Sequence, residues 1–365
     1  MSNVISSLGK KVGPLSVIFI SLLIGLSVTF FQGCRHGKDK DKKLSPTLTI
    51  FNWEEYIDMD VVKEFEEKYG VDVIIEYFEN EDEMMSLVQS SPEKYDLTIA
   101  SDSVVVTMTR LGLLARLNTE NIPNISKVDT TIAKSPNPMG MKYSIPYVWG
   151  TSGIAVNRRY VKDEDIGWEI LFDKRFAGRI DMLDDIQENF AAALKVLGVS
   201  INTTDLETLE KAEDLLWEQK KIIRGYFNSY DIQRHLEEGS THVAYHYSCD
   251  SLMAMEKNED IEYLVPDCGA PIWMDSWVIP ATAKNKYTAE VFINFILEPE
   301  NIARISNFIW SANAVPKSRK YLDRELLESM EIYLPKSLLE KCEFYRSLDH
   351  ETNRFMNKIW FQLKK

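Results

Sequence analysis

The sequence contains few glycines and prolines, which interrupt helices and strands. It also contains few cysteines, which form disulfide bonds or bind metal ions. Its 365 residues include four cysteines, 16 glycines and 13 prolines, and no two cysteines are spaced as Cys-x-x-Cys. So little glycine and proline excludes a collagen-like chain, and an apolar content of 45% excludes wholesale disorder. The cysteine spacing gives no zinc-ribbon signal.

Motifs of nucleotide-binding proteins and hydrolases are also missing. The sequence contains no Gly-x-Gly-x-x-Gly, no Walker loop and no Gly-x-Ser-x-Gly. His242 and His246 are four residues apart, but they fall in a strand-like run, where four residues span about 13 Å. That separation does not suit a metal pair, and we expect neither a metal nor a cofactor.

Basic residues are scarce after the first 43 residues. The chain has 42 Lys and Arg against 56 Asp and Glu, and its net charge is −14. The first 43 residues carry seven bases and two acids, which leaves a net charge of −19 on the remainder. A body this acidic argues against a nucleic-acid groove and allows a cationic ligand, although acidity also serves solubility alone. The length favours two domains or one large two-lobed unit.

The N-terminal segment has the pattern of an export signal. Lys10 and Lys11 precede an apolar run over residues 12–31, and a glycine and Cys34 follow. This order predicts a signal peptide over residues 1–33. Cys34 after a small residue resembles a bacterial lipobox, in which the cysteine is lipidated, and residues 34–45 then form a charged tether. The alternative is an uncleaved spanning helix, because about 20 apolar residues reach across a bilayer. Either arrangement puts the body outside the cytoplasmic membrane.

The body retains three cysteines, Cys249, Cys268 and Cys342. An odd number cannot form a complete disulfide framework, but an oxidising compartment would allow one bridge. Cys249 and Cys268 enclose the shortest loop and are the first candidates for such a bridge, and the sequence leaves open whether Cys249 is free or bonded.

Strands and helices alternate along the body. The first strand covers residues 48–51, and Asp58 and Asp60 open a helix that stops at Gly70. A strand (71–78), a helix capped by Asn80 with Glu83 (81–89), a strand (95–100) and a helix (103–112) follow. The second half continues with strands at 179–183, 241–247 and 275–279, and helices at 188–197, 204–219, 289–297 and 300–307. This order predicts an α/β fold with a mostly parallel sheet.

Acids and aromatic residues collect at the predicted strand ends, where lysine and arginine are absent. Four such segments follow strands (52–56, 101–103, 184–188 and 248–250), and a fifth precedes the strand at 275–279 (273–275). Ligands of open α/β sheets bind beyond the carboxyl ends of the strands, and carboxylates with aromatic faces suit an organic cation. Taken singly, the tryptophans could be core residues, Asp184 and Glu188 helix caps, and Glu54 a solvated acid. We expect Asp102 to be solvated.

Five motifs resemble those of the bacterial spermidine/putrescine-binding proteins, the extracytoplasmic receptors of polyamine ABC importers. They are Phe-Asn-Trp-x-Glu-Tyr (51–56), Tyr-Asp-Leu-x-x-x-Ser (95–101), Tyr-Ser-Ile-Pro-Tyr-x-Trp-Gly (143–150), Met-Leu-Asp-Asp-x-x-Glu (182–188) and Trp-Met-Asp-Ser-x-x-Ile-Pro (273–280). The resemblance runs from about Leu48 to Ala314. It implies an α/β, two-lobed periplasmic-binding-protein fold of type II, with a ligand cleft between lobes joined by two crossing strands. The implied lobes are residues 46–146 with 278–318, and 147–277 with 319–365.

The resemblance also implies which residues bind the ligand. The positions that match the family's motifs are the aromatic Trp53, Tyr56 and Trp273, the acidic Glu55, Asp185, Glu188 and Asp275, and the hydroxyl of Ser101. Other positions depart from the pattern: Tyr247 stands at a usual Trp, Glu54 at a usual Ser or Thr, and Ser103 at the Tyr of spermidine-type members. Asp250 matches an acid of putrescine-type members, and Tyr345 or Arg346 is nearest to the family's C-terminal polar residue. The number of acids favours a trivalent polyamine while Asp250 favours a diamine, so the ligand's length stays open.

The expected function is that of a receptor held to a membrane by lipid on Cys34. It captures polyamine, closes its lobes on the ligand and delivers it to an ABC permease. We expect a monomer with no enzymatic activity and no nucleic-acid partner. Two alternatives stay open: a receptor of the same fold for another organic cation, and a secreted glycoside hydrolase that uses Asp185 and Glu188.

Overall fold

The computed structural model describes residues 43–130, 139–162, 164 and 166–365. The predicted signal peptide, Cys34 and most of the tether lie outside these residues. Residues Leu44–Lys365 form one compact unit. Within the described ranges, no helix is long and apolar enough to cross a membrane.

The body alternates strands and helices. The strands are β1 (Thr47–Asn52), β2 (Asp72–Tyr77), β3 (Leu97–Ser101), β4 (Ser144–Asn157), β5 (Ile180–Leu183), β6 (Gly225–Phe227), β7 (Val243–Tyr247), β8 (Ile261–Leu264), β9 (Pro271–Val278), β10 (Ala312–Asn313) and β11 (Glu343–Phe344). The α-helices are α1 (Met59–Tyr69), α2 (Glu81–Ser90), α3 (Asp102–Arg110), α4 (Ile186–Val196), α5 (Leu206–Lys220), α6 (Ser229–Glu237), α7 (Ser248–Lys257), α8 (Lys286–Ile296), α9 (Pro299–Ile309), α10 (Arg324–Glu328), α11 (Lys336–Leu339) and α12 (His350–Leu363). Short 3-10 helices cover Thr119–Asn121, Pro123–Lys127, Gly140–Lys142, Trp168–Phe172, Lys174–Phe176 and Pro316–Tyr321.

Local sequence signals set the ends of the first two helices. The Asp58 carboxylate accepts a hydrogen bond from the Asp60 amide at the start of α1, and Gly70 ends that helix with a φ of 65°. The Asn80 side chain accepts a hydrogen bond of 2.9 Å from the Glu83 amide at the start of α2. The predictions for these helix ends are confirmed.

The strands form one mixed sheet with the order β2-β1-β3-β9-β4-β7-β5-β6. The pairs at its two ends are parallel, namely β2 with β1, β1 with β3, β7 with β5, and β5 with β6. At the centre, β9 and β4 pair antiparallel with each other and with β3 and β7. The predicted mostly parallel arrangement is therefore correct for the two ends of the sheet and wrong for its centre, where the chain crosses from one half to the other.

β4 joins the two halves of the sheet. It is 14 residues long and buried throughout, its residues 144–151 pair with β9, and residues 152–156 pair with β7. The second crossing is the chain between β8, which pairs with the C-terminal part of β4, and β9. Residues 146–150, predicted as a crossing point, lie inside β4.

Two large buried clusters pack on the two halves of the sheet. One contains residues of β1, β3, α1, α8 and α9, and the other contains residues of β4, β5, β7 and α6. They are the cores of two lobes, as the two-lobed α/β fold requires. We call the part with β1–β3, α1–α3, α8 and α9 the first lobe, and the part with β5–β8, α4–α7 and α12 the second lobe. In the second lobe, α12 packs through Met356 and Ile359 against α4 and α5.

The three body cysteines are free. Cys249 is buried at the start of α7, whereas Cys268 is exposed in the loop before β9. That loop lies beside Cys342, whose sulfur accepts a hydrogen bond of 3.4 Å from the Ala270 amide. The possible bridge between Cys249 and Cys268 is therefore absent, because the loop places Cys268 beside the segment that leads into β11.

Candidate functional site

His242 and His246, the two histidines spaced four residues apart, each contact other side chains of the protein. His246 lies in β7 and is fully buried, with its ring nitrogens bonded to Ser251 and Ser229, and His242 stacks on Tyr160 with the ring centroids 3.8 Å apart. Within the described ranges, no group of three or more His, Cys, Asp or Glu side chains could hold a metal ion.

The wall of the site in the first lobe is built around Asp275. The structure places Asp275 inside β9, not at the start of the strand as predicted, because β9 begins four residues earlier than expected. Its backbone lies opposite Ser101 of β3 and Val148 of β4. The Tyr56 hydroxyl donates a hydrogen bond of 2.7 Å to Asp275 Oδ2, and the Tyr147 hydroxyl holds the Tyr56 carbonyl at 3.0 Å. A tyrosine from the end of β1 is thereby tied to the central strand.

Burial acts against the charge of Asp275. It raises the pKa of this carboxyl from 3.8 to about 6, although the Tyr56 hydrogen bond acts in the opposite direction. The same effects raise the pKa of the Tyr56 hydroxyl well above 10, because burial and the Asp275 charge both disfavour the phenolate. Tyr56 is thus a fixed donor, and a bound cation would lower the raised pKa of Asp275.

A second acid in this wall, Glu81, was not among the predicted site residues. Its carboxylate accepts hydrogen bonds from the Ser101 amide at 2.6 Å and the Ser101 hydroxyl at 2.7 Å. Burial and then the charge of Asp275 raise the pKa of Glu81 to about 7. Glu81 follows the carboxyl end of β2, so the rule that singled out the residues after β1 and β3 would have found it there.

Asp102 is also in this wall, and the expectation that it is solvated is wrong. Only 7% of its surface is exposed, because it forms the first residue of α3 beneath the site. Burial, Asp275 and Glu81 raise the pKa of Asp102 well above 3.8.

The opposite wall, in the second lobe, is built around Glu188. This side chain is 3% exposed, and its two oxygens accept hydrogen bonds from the hydroxyls of Ser152 (2.8 Å), Tyr345 (2.6 Å) and Tyr245. Burial and the Asp185 charge nevertheless raise its pKa to about 7. Tyr345 is one of the two residues considered for the family's C-terminal polar position, and the structure brings it to Glu188.

Asp185 caps the helix that carries Glu188. Its side chain accepts a hydrogen bond of 3.0 Å from the Glu188 amide at the start of α4. Burial raises its pKa above 3.8, and the charges of Asp184 and Asp82 add to the shift. Asp185 therefore both caps α4 and lies in the site.

The two walls meet near Tyr247. Burial and the charges of Glu188, Asp185, Asp250 and Asp275 raise the pKa of its hydroxyl well above 10. These four acids, all predicted as site residues, therefore lie close enough to act on one group. In the described part of the chain, no lysine or arginine forms an ion pair with Asp185, Glu188, Asp250, Asp275 or Glu81.

Aromatic rings stand beside the acids. Trp273 lies edge-on to Tyr247 with the ring centroids 6.0 Å apart, and its indole N–H has no hydrogen-bond partner. Trp53 leans on Phe78 with the centroids 4.3 Å apart. Both tryptophans are partly exposed, so each has ring surface left for a ligand while it packs on the core.

Three further predicted acids, Glu54, Glu55 and Asp250, are either exposed or hydrogen-bonded within the second lobe. Glu54 and Glu55 are exposed, and Glu55 adopts a φ of 53° in the tight turn that leads to Tyr56. Asp250 is tied within the second lobe, where it accepts hydrogen bonds from the Ser229 hydroxyl and, at 3.4 Å, from the Cys249 thiol. The burial of Cys249 beside this carboxylate raises the pKa of its thiol well above 9.

Comparisons with known proteins agree with this fold. A family model described as bacterial extracellular solute-binding protein matches residues 60–321. The spermidine/putrescine-binding periplasmic protein of Escherichia coli K12 is 30% identical over 316 residues, which cover 86% of this chain and 88% of that protein. The putrescine/cadaverine-binding protein of Pseudomonas aeruginosa is 28% identical over 330 residues, covering 87% and 93%. The structure of a spermidine/putrescine ABC transporter substrate-binding protein from Streptococcus pneumoniae matches with a TM-score of 0.79 and 28% identity, covering 88% of this chain and 99% of that one.

Proposed function

The chain belongs to the bacterial extracellular solute-binding proteins, and we propose that it binds a polyamine between its two lobes and delivers it to an ABC importer. The observation that carries the proposal is a set of buried and half-buried carboxyls from both lobes that act together on the pKa of Tyr247, with aromatic rings beside them and, among the described residues, no lysine or arginine paired with them. Two relatives are named for the ligands they bind, which are spermidine and putrescine in one and putrescine and cadaverine in the other. Each of these ligands is a flexible chain with ammonium groups, which such a site would neutralise.

We assign the ligand contacts by chemistry. Asp275, Glu188, Asp185, Asp250 and Glu55 would pair with ammonium groups, and Glu54 would add negative charge at the entrance. Trp53, Tyr56, Tyr247 and Trp273 would cover the methylene chain and offer their faces to the cationic ends. The Ser101 hydroxyl would position the acids around it.

Closure of the lobes would follow from this division of contacts. The first lobe supplies Asp275 and Tyr56, and the second supplies Glu188 and Asp185, so a ligand gains its full set of contacts only when the lobes approach. We place the lobe boundaries at residues 46–146 with 278–318, and 147–277 with 319–365. The crossing strand β9 ends at this boundary, and we count Asp275 with the first-lobe wall because it pairs with Ser101 of β3. The separate buried clusters on the two halves of the sheet support that division.

The site favours cations that carry N–H donors over cations that carry none. A primary or secondary ammonium donates to carboxylates, whereas a quaternary ammonium cannot and needs a fuller aromatic box. A glycoside hydrolase is disfavoured because Glu188 already accepts three hydroxyl hydrogen bonds, and we expect no turnover.

We also propose that the mature protein is held to a membrane by lipid on Cys34, with its body extracytoplasmic and monomeric. The apolar run before Cys34 and the charged tether after it support this arrangement.

A thermal-shift panel tests the function. Spermidine and putrescine at pH 8 should raise the melting temperature of residues 44–365 by several degrees, since a ligand at 100 times its Kd adds about 2.7 kcal/mol. Two matched controls, 1,4-butanediol and choline, should leave it unchanged, because the first has no charge and the second no N–H donor. Equal shifts with butanediol, or none with any polyamine, would contradict the proposal.

A further inference from the structure

We infer that Glu81 and Asp102 form, together with Asp275, a subsite in the first lobe for one ammonium group of the ligand. This inference rests on the proposed function and adds two acids that the sequence motifs do not assign to the site.

The position of Glu81 is fixed by Ser101. Its two carboxylate oxygens accept hydrogen bonds from the Ser101 amide at 2.6 Å and the Ser101 hydroxyl at 2.7 Å. Ser101 is the residue of β3 that lies opposite Asp275 of β9. The start of α2 is thereby held against the end of β3, where the charge of Asp275 acts on Glu81.

Asp102 gives an independent indication of a ligand. It is the residue after Ser101, 7% of its surface is exposed, and its carboxyl makes no hydrogen bond or ion pair in the described part of the chain. A buried carboxylate without a partner is unfavourable, so such a group calls for a proton or a cation. An ammonium between these acids would supply the missing positive charge.

The electrostatics of the groups agree with this placement. The acids that face Glu81 are Asp275 from β9 and Asp185 from the loop before α4, and both raise its pKa. Asp275 and Glu81 in turn raise the pKa of Asp102. No basic residue is among the charges that shift the pKa values of Glu81 and Asp102, and among the described residues no three of these acids form a metal site. An ammonium suits the arrangement because its N–H donors diverge toward separate carboxylates.

A purely structural role for Glu81 is the competing explanation, since its hydrogen bonds also join α2 to the start of α3. The test is Glu81→Gln, which keeps an oxygen for Ser101 and removes the charge. Glu83→Gln, an exposed change of the same charge in the same helix, is the matched control. Asp102→Asn is the second variant, because it removes charge from the subsite without touching the Ser101 hydrogen bonds.

Isothermal titration with spermidine at pH 7 provides two readouts, affinity and the protons released on binding, the latter from two buffers of different ionisation enthalpy. Glu81→Gln and Asp102→Asn should each weaken binding by at least about tenfold, and Glu83→Gln by less than about twofold. Because the pKa of Glu81 is about 7, its replacement should also reduce the release at pH 7 by about half a proton.

Unchanged affinity and unchanged proton release in Glu81→Gln, with wild-type protein that binds spermidine, would overturn the subsite alone. A lower melting temperature of ligand-free Glu81→Gln with wild-type affinity would assign Glu81 a structural role. Absence of binding of spermidine, putrescine, cadaverine and spermine by the wild type would instead refute the proposed function.

Discussion

Replacing Asp275 by asparagine should weaken polyamine binding without destabilising the protein. The amide has the shape of the carboxyl and keeps an oxygen for the Tyr56 hydroxyl, which now donates to Asp275 Oδ2 over 2.7 Å. The substitution therefore removes the negative charge and leaves the local packing in place.

The two states of the protein should respond in opposite directions. In the complex, removing one partner of a buried charge pair costs about 2–5 kcal/mol, which is a loss of affinity of roughly 30-fold to several thousand-fold. In the ligand-free protein, burial has raised the pKa of Asp275 from 3.8 to about 6. Its ionised form at pH 8 is thus unfavourable by up to about 3 kcal/mol, and Asp275→Asn should leave the melting temperature unchanged or higher.

Titration calorimetry with spermidine and thermal unfolding of the ligand-free protein, both at pH 8, measure these effects. Asp267→Asn is the matched control, since it makes the same change at an exposed position shortly before β9. Affinity of Asp275→Asn within about threefold of wild type would refute the assignment of Asp275 as an amine partner. A lower melting temperature in the ligand-free state would refute the argument from its burial.

Further predictions follow from the same site. The pKa values of Glu81, Glu188 and Asp275 lie at about 6 to 7 in the folded state. The folded state therefore binds more protons than the unfolded state between about pH 4 and 7. As the pH is raised from 5.5 to 8, deprotonation of these acids should lower the melting temperature of the ligand-free protein and increase its affinity for spermidine. If the melting temperature and the affinity changed in the same direction, this linkage would be contradicted. Tyr345→Phe removes a donor to Glu188 and should weaken binding about five- to tenfold by calorimetry, and an unchanged Kd would exclude that role. Iodoacetamide should modify exposed Cys268 well before buried Cys249, as peptide mass spectrometry would show; the reverse order would contradict the burial of Cys249.

Much of the fold could be predicted because its signals are local. Asp58, Gly70 and Asn80 mark helix ends through hydrogen bonds that reach two to four residues along the chain. The antiparallel centre of the sheet could not be predicted in this way, since it depends on β9 returning between β3 and β4 after more than a hundred residues. The start of β9 was placed late for the same reason.

The sequence motifs predict most of the site residues, and the errors in that prediction have physical causes. Glu81 lies outside the five motifs, although it follows the carboxyl end of β2, where the same rule for ligand sites in α/β sheets applies. The burial of Asp102 depends on how α3 packs beneath the sheet, which no local pattern reports. Tyr345 comes to Glu188 from 157 residues away, through the return of the chain as β11 beside β9.

The most direct test of the account is isothermal titration of residues 44–365 with spermidine, putrescine, cadaverine and spermine. The protein should first be unfolded and refolded to remove any bound ligand. We expect one-to-one binding at micromolar or lower Kd for at least one of the four, and their ranking will show whether the number of acids or Asp250 sets the preferred length. No heat with any of them, on protein shown to be folded and empty, would contradict the claim that this site binds a polyamine.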